Sequence, residues 1–397
     1  MFAVMAVVLG GVVASIPAGA VVDRAVVVPS PNVGADDNYL NSVSCVSASE
    51  CVAVGYRNTD PGTGTLVMVW DGIEWSIVPS PNAGTINNYL NSVSCVSASE
   101  CVAVGSTYTG DYLYETLVMV WDGTAWSIVP SPNAGTINDQ LDSVSCVSAS
   151  ECVAVGQTRT GSVFETLAMV WDGTVWSIVP SPNPGTRYDQ LDSVSCVSAS
   201  ECVAVGSTQI GFPIETLVLV WDGNEWSIVP SPNAGTINDQ LDSVSCVSAS
   251  DCVAVGSTQT EDSMYETLAM VWDGIEWSIV PSPNPGTIDD GLFSVSCVSA
   301  SDCVAVGRTD IGDYLYETLV MVWDGIEWLI VPSPNAGTIN DQLDSVSCVS
   351  GSDCVAVGST YNGSDTETLV LSMTGPVPPS TTTTLSPPDQ VVPAFTG

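Results

Sequence analysis

The sequence contains no histidine and no lysine, and only 5 of its 397 residues are basic, all of them arginine. Without His there is no imidazole base, nucleophile or metal ligand, which excludes every mechanism built on one. Without a basic surface neither nucleic acid nor an anionic membrane fits as a partner, because both are held through Lys and Arg. The 44 acidic residues give a net charge of −39, yet charged residues make up only 12% of the chain, about half the usual ~25%. The acidity therefore comes from missing bases, not from surplus acids. Long apolar runs are also lacking. The one such segment, Phe2 to Ile16, is shorter than a membrane span of about 20 residues.

That segment is followed by Pro17-Ala18-Gly19-Ala20, an A-x-A pattern that allows cleavage after Ala20. Residues 1–20 thus read as a secretory signal peptide. No basic residue precedes the apolar run, so an uncleaved N-terminal anchor is the alternative. At the other end, residues 376–397 (PVPPSTTTTLSPPDQVVPAFTG) are dominated by Pro and Thr and read as a disordered stalk. The closing Pro393-Ala394-Phe395-Thr396-Gly397 resembles the pentapeptide that sortases cleave in wall-anchored bacterial proteins. The expected location is extracellular, secreted or wall-anchored, with no membrane insertion after signal cleavage.

Between these ends the chain repeats with a period of 50 or 51 residues. Its 14 cysteines form seven C-x5-C pairs: Cys45/Cys51, Cys95/Cys101, Cys146/Cys152, Cys196/Cys202, Cys246/Cys252, Cys297/Cys303 and Cys348/Cys354. A Pro-Ser-Pro-Asn block also occurs seven times, but a W-D-G-x-x-W block only six, from Trp70/Trp75 to Trp323/Trp328. The seventh repeat, ending at Leu369–Gly375, lacks a final strand, while Ala25–Pro31 supplies an extra one before the first Cys pair. An open solenoid has no use for that permutation, whereas a ring closes with it.

Each repeat offers four short strand candidates, in the second repeat Ser92–Ser97, Cys101–Gly105, Glu115–Trp121 and Trp126–Pro130. Four antiparallel strands, seven times, predict an all-β, seven-bladed β-propeller over residues 21–375, closed by the N-terminal strand. Small Ser, Ala and Gly in strands one and two suit the crowded axis, and Leu, Met and Trp in strands three and four suit the diverging rim. The Trp rows are expected to be core.

The V-G ending strand two, the variable loop, and the aromatic-Asp step with a Trp five residues after the first aromatic resemble the Kelch repeat over residues 25–375. A lone Gly stands where that family has Gly-Gly, and the Cys pairs lie outside its pattern. The resemblance implies a propeller closed by a terminal strand. It also points toward copper oxidases of the galactose oxidase type, whose copper site requires the His that this chain lacks.

A three-residue turn such as Ser97-Ala98-Ser99 would set Cys95 directly opposite Cys101, so seven intra-blade disulfides are expected. They fit an oxidising compartment. Zinc would favour shorter Cys spacing and four converging ligands.

Strand alternation puts the S-A-S hairpins and Asp-Gly turns on one face, and the two–three and inter-repeat segments on the other. The two–three segments vary most between repeats. They carry Tyr108, Tyr112, Tyr114, Phe164, Phe212, Tyr265, Tyr314, Tyr316 and Tyr361, and three of the five arginines, Arg57, Arg159 and Arg308. Tyr and Arg are typical contact residues, so these twelve are the expected binding set. The same face holds Asp139/Asp142, Asp189/Asp192, Asp239/Asp242, Asp289/Asp290 and Asp341/Asp344 in inter-repeat loops. Strand caps or solvated acids are expected there; calcium is the one metal such an oxygen-only set would suit, without a dedicated loop motif.

No catalytic constellation or cofactor is expected. The reading is a monomeric, non-catalytic extracellular module binding glycan or protein. A structural surface-layer protein and a carboxylate-dependent glycosidase are the alternatives.

Overall fold

The computed structural model describes residues 22–375 apart from positions 35, 85, 111, 112, 136, 236, 314 and 338. The expected leader, stalk and sortase-like motif, and Tyr112 and Tyr314, lie outside the described residues. The described chain is 28 strands, β1–β28, without a helix, so no helix in it is long and apolar enough to cross a membrane.

The strands form seven four-stranded antiparallel blades. The innermost strands are β2 (Asn38–Ser47), β6 (Asn88–Ser97), β10 (Asn138–Ser148), β14 (Tyr188–Ser198), β18 (Asn238–Ser248), β22 (Asp290–Ser299) and β26 (Ile339–Ser350). Each touches the innermost strand on either side, and β26 touches β2, which closes the ring. The last blade is β26, β27 (Asp353–Tyr361), β28 (Thr366–Thr374) and β1 (Arg24–Val27), with Arg24 opposite Thr374 and Val27 opposite Leu371. The extra N-terminal strand is thus the missing fourth strand.

Two sequence blocks acquire a physical meaning. In the inner S-V-S segments, each Ser Oγ accepts a backbone N–H from the next blade: Val93 and Cys95 donate to Ser42 and Ser44, and the seventh blade's Ser345 and Ser347 receive Val43 and Cys45. Every junction repeats the pair, fourteen bonds of 3.0–3.2 Å in all. In the Pro-Ser-Pro-Asn block, Ser80 Oγ lies 2.7 Å from Thr65 Oγ1 and Asn82 Oδ1 accepts the Thr65 N–H at 2.8 Å. Ser30 and Asn32 latch Thr368 in the same way across the closure.

The core lies between blades. Val52, Val54 and Val67 of the first blade pack on Leu90, Ala103, Leu117, Met119 and Trp126 of the second, and the ring returns with Val357 and Val370 against Leu40, Ala53 and Met68. Both faces of each blade are buried, which is why the strands read as nearly continuous apolar runs. Trp70/Trp75 and its counterparts oppose each other across the outer hairpin with ring centroids 5.5–5.7 Å apart, and the fourth-strand indoles are buried.

All seven Cys pairs are bonded as expected: Cys45–Cys51, Cys95–Cys101, Cys146–Cys152, Cys196–Cys202, Cys246–Cys252, Cys297–Cys303 and Cys348–Cys354. Their turn differs from expectation: Ser97 pairs with Glu100 across a two-residue Ala98-Ser99 turn, and a bulge between Cys95 and Ser97 absorbs the odd residue.

The two halves of each clip differ in burial. The first cysteine is half-buried. The second, Cys51, Cys101, Cys152, Cys202, Cys252, Cys303 or Cys354, is only 0–3% exposed and belongs to the interblade core. The cause is strand order. The second cysteine lies on strand two, flanked by strand one and by a large residue of strand three. Cys51 faces Trp70, Cys202 faces Trp221, Cys252 faces Trp272, Cys303 faces Trp323, and Cys354 faces Met373. These sulfurs are therefore packing atoms as well as cross-links.

Strands one and two are also longer than the apolar pattern suggested. β6 begins at Asn88, and β7 (Glu100–Gly110) runs on to pair with β8 (Leu113–Trp121) up to Gly110–Leu113. Most of the variable two–three segment is therefore hairpin, not loop.

Candidate functional site: the axial mouth

The lone Gly ending the V-G step marks the closest approach in each blade. A Cβ on Gly105 would lie 2.0 Å from the Tyr89 carbonyl oxygen, and the other six blades repeat the conflict at 1.9–2.2 Å. Beside it the inner strand slips register by one residue, between Leu90 and Ser92 in the second blade. Such a bulge re-aims the extra side chain. Around the ring the extra residues are Asn41, Asn91, Asp142, Asp192, Asp242, Phe293 and Asp344.

The two asparagines reach sideways: Asn41 Nδ2 donates to Leu90 O at 2.8 Å and Asn91 Nδ2 to Leu141 O at 2.9 Å. In the next three blades a carboxyl stands in that position, and an ionised carboxylate can only accept. Asp142 and Asp242 each keep a buried Oδ2 without a hydrogen-bond partner. Each accepts a glutamine from its own strand through Oδ1, Gln140 Nε2 at 2.9 Å and Gln240 Nε2 at 3.2 Å. Burial pushes Asp142, Asp242 and Asp344 from 3.8 up to about 7. Asp192 is pushed well above its ordinary value by burial and by the charges of Asp242 and Asp142 on either side.

Above these groups sits a layer of rings. Tyr39 stacks on Tyr56 (4.7 Å), Tyr56 meets Tyr89 edge-on (5.0 Å), Tyr89 leads to Tyr114 (6.5 Å), and Tyr114 to Tyr108 (5.3 Å). Five tyrosines thus run across the first two blades. Burial first, then the neighbouring Tyr39 and Tyr89, raises the Tyr56 hydroxyl to about 12, so it stays a neutral donor at ordinary pH. Further round, Tyr188 lies 5.7 Å from Phe164, whose ring is covered by the Arg159 guanidinium at 5.1 Å. Tyr188 also hydrogen-bonds Gln190, and burial with the nearby Asp192, Asp142 and Asp242 raises its hydroxyl. Arg308 caps the last sector, 4.2 Å over Tyr316 and 5.4 Å from Phe293, with Nη1 donating to Gln342 Oε1 at 3.1 Å.

The structure therefore gathers Tyr108, Tyr114, Arg159, Phe164, Arg308 and Tyr316 of the expected set into three aromatic groups. Arg57 and Tyr361 lie on β3 (Glu50–Asn58) and at the end of β27. Phe212, 76% exposed, stands on the turn before Glu215, and Tyr265 opens its strand at the surface. Tyr39, Tyr56, Tyr89, Tyr188, Phe293 and the four glutamines were not singled out in the sequence. For Tyr39, Tyr89 and the glutamines the signal was the residue three places before each S-V-S, which changes from Tyr to Gln between otherwise matching repeats.

The expected inter-repeat acids are corrected too, because apart from Asp289 they sit on the inner strands. Asp139, Asp189 and Asp341 are caps, accepting the Gly135, Gly185 and Gly337 N–H at 2.8, 2.9 and 3.0 Å, and in the Asp289/Asp290 pair it is Asp290 that accepts the Gly286 N–H at 2.9 Å. Among the described residues no group of three or more Cys, Asp or Glu is placed to hold a metal ion.

No protein-family model and no curated protein matches this sequence. Solved structures do match the fold. One of them, described as "YCF48 bound to D1 peptide", aligns over 89% of this chain and 97% of its own with a TM-score of 0.52 at 13% identity. At that identity the likeness shows a β-propeller fold and nothing more.

Proposed function

We propose that this chain is an exported, non-catalytic propeller that binds a polypeptide segment at its axial mouth, with Kelch-like blades as the rigid support. The observation that carries this reading is the continuous run Tyr39–Tyr56–Tyr89–Tyr114–Tyr108 on a mouth whose other blades present Asp142, Asp192, Asp242 and Asp344. Rigid aromatic anchors next to fixed polar groups are what binding hot spots are made of. Of the two partner classes open from the sequence, protein is favoured over glycan by charge. A field set by −39 attracts Lys and Arg side chains and offers an uncharged sugar nothing. The peptide held by YCF48 supports this as a use to which the fold lends itself. Seven disulfides suit an oxidising location.

Selection from a displayed peptide library on the 22–375 propeller, followed by calorimetry, tests it. Enriched peptides should be basic, and their affinity should fall at least about tenfold in Tyr56→Ala and Tyr89→Ala and on raising salt. Enrichment without a basic bias, or binding unmoved by both substitutions, would refute the reading.

A further inference from the structure

The opposite face, where the disulfide hairpins turn, carries a separate feature. Clefts open between consecutive blades there, and five of them fall into two sizes. Those between blades one and two, two and three, and three and four measure ≈ 250, ≈ 210 and ≈ 170 Å³. Those between blades five and six and between seven and one measure ≈ 50 and ≈ 40 Å³, room for one or two waters at about 30 Å³ each. The acid at the turn follows the same division: Glu50, Glu100 and Glu151 line the large clefts, Asp251 and Asp353 the small ones.

Each large cleft is lined by two indoles, one from each blade: Trp70 with Trp121, Trp121 with Trp171, and Trp171 with Trp221. No arginine lines any of the five, so an anion has nothing to pair with. The polar groups are largely committed within the fold. The Nε1 of Trp70, Trp121, Trp171 and Trp221 donates to Ala48, Ala98, Ala149 and Ala199 carbonyls at 3.1–3.2 Å. Ser44, Ser94 and Ser145 each receive the next blade's Cys N–H at 3.0 Å. What remains are ring surfaces and the turn glutamate, whose Oε2 accepts a turn serine, Ser97 on Glu100 at 3.1 Å, joined in the first cleft by Asp71, whose Oδ1 accepts the Ile73 and Glu74 N–H groups.

That combination discriminates between ligands. A polyol buried here would leave hydroxyls without partners, at a cost of about 1–3 kcal/mol each. A methylated ammonium needs no acceptor, and is attracted both by aromatic rings and by the carboxylate. The volumes are below the roughly 300–1,000 Å³ of drug-sized pockets, which suits a headgroup. We propose that the three large interblade clefts each bind a small quaternary ammonium, the trimethylammonium chemistry common to free choline and choline lipid headgroups. The site is distinct from the axial mouth and stands or falls without it.

The test is calorimetric titration of the oxidised 22–375 propeller with choline chloride against a sodium chloride blank, with tryptophan fluorescence in parallel. Saturable binding at three or more sites per chain is expected, with one site fewer in Glu100→Gln and the remaining large-cleft sites weakened roughly tenfold in the Glu50→Gln, Glu100→Gln, Glu151→Gln triple variant. These glutamates are exposed, so the melting transition should be kept. Sedimentation with phosphatidylcholine vesicles against phosphatidylglycerol vesicles assigns the source: retention on the former marks a lipid headgroup, and binding of choline alone marks the free molecule. No saturable response to choline, a response unchanged in the triple variant, or binding of methyl glucoside in its place would overturn the proposal.

Discussion

Asp142→Asn should stabilise the propeller in mild alkali by clearly more than the about 1 kcal/mol that its new hydrogen bond gives in acid. Asn91, one blade earlier, donates from Nδ2 to Leu141 O at 2.9 Å, while Asp142 in the same place keeps an unpartnered Oδ2. By the repeat, Leu191 O is the acceptor that an Asn at 142 would reach. Burial raises the Asp142 carboxyl from 3.8 to about 7. A carboxyl raised on folding holds its proton in the native state after the unfolded chain has released it. Its stabilising effect is therefore complete below about pH 4 and is lost as pH climbs through about 7, at about 1.4 kcal/mol per pH unit. This sets a ceiling of about 4 kcal/mol. The new hydrogen bond adds about 1 kcal/mol. Removing the charge also relieves Asp192, which the Asp142 charge pushes upward. Urea unfolding at pH 4 and pH 8 reads the difference as a shift in midpoint at constant slope. An equal gain at both pH values, or a loss at pH 8, would refute the reasoning.

Three further outcomes follow from the fold. Ser345→Ala leaves the buried Val43 N–H, which it receives at 3.2 Å across the closure, without a partner; urea unfolding should show a loss of about 1–3 kcal/mol, against much less for Ser47→Ala, whose hydroxyl bonds only within the exposed hairpin turn. Gly105→Ala puts a Cβ 2.0 Å from Tyr89 O, and circular dichroism melting should show a loss of more than about 3 kcal/mol or no folded protein. Non-reducing peptide mapping should find the seven Cys pairs as assigned, and reduction should cost roughly 2 kcal/mol per bond by loop entropy.

The ring was legible because its signals are periodic and local: the C-x5-C spacing, the surplus Pro-Ser-Pro-Asn block and the missing W-D-G-x-x-W each survive in one dimension. The unequal burial of Cys45 and Cys51 was not, because it depends on which neighbouring strand covers each sulfur. The mouth was less legible too, for a register reason. Tyr89, Asn91 and Asp142 precede the apolar S-V-S run and are flanked by Gly, Thr and Asn, so they read as loop. They are strand because inter-blade serines and the Pro-Ser-Pro-Asn latch hold the backbone extended. The bulge at Asn91 then decides which side chains line the axis, and no alternation pattern reveals a bulge. Tyr108 and Tyr114 were found because they vary, whereas Tyr56 and Tyr188 were missed because their partners, Tyr39 and Phe164, sit on other strands.

The closing strand has a mechanical consequence. Arg24 lies opposite Thr374, and the Gly375 N–H bonds Ser352 O in the hairpin turn of the last blade at 2.9 Å. The propeller is thus entered and left at a single point on its rim, on the disulfide side. A body fastened by either end hangs with its tyrosines turned away from the attachment and its indole clefts turned toward it. Pulling the two ends apart loads the β1–β28 pairs one after another, as a zipper opens, and not all at once. The seam that completes the circle is also the place where tension would open it first.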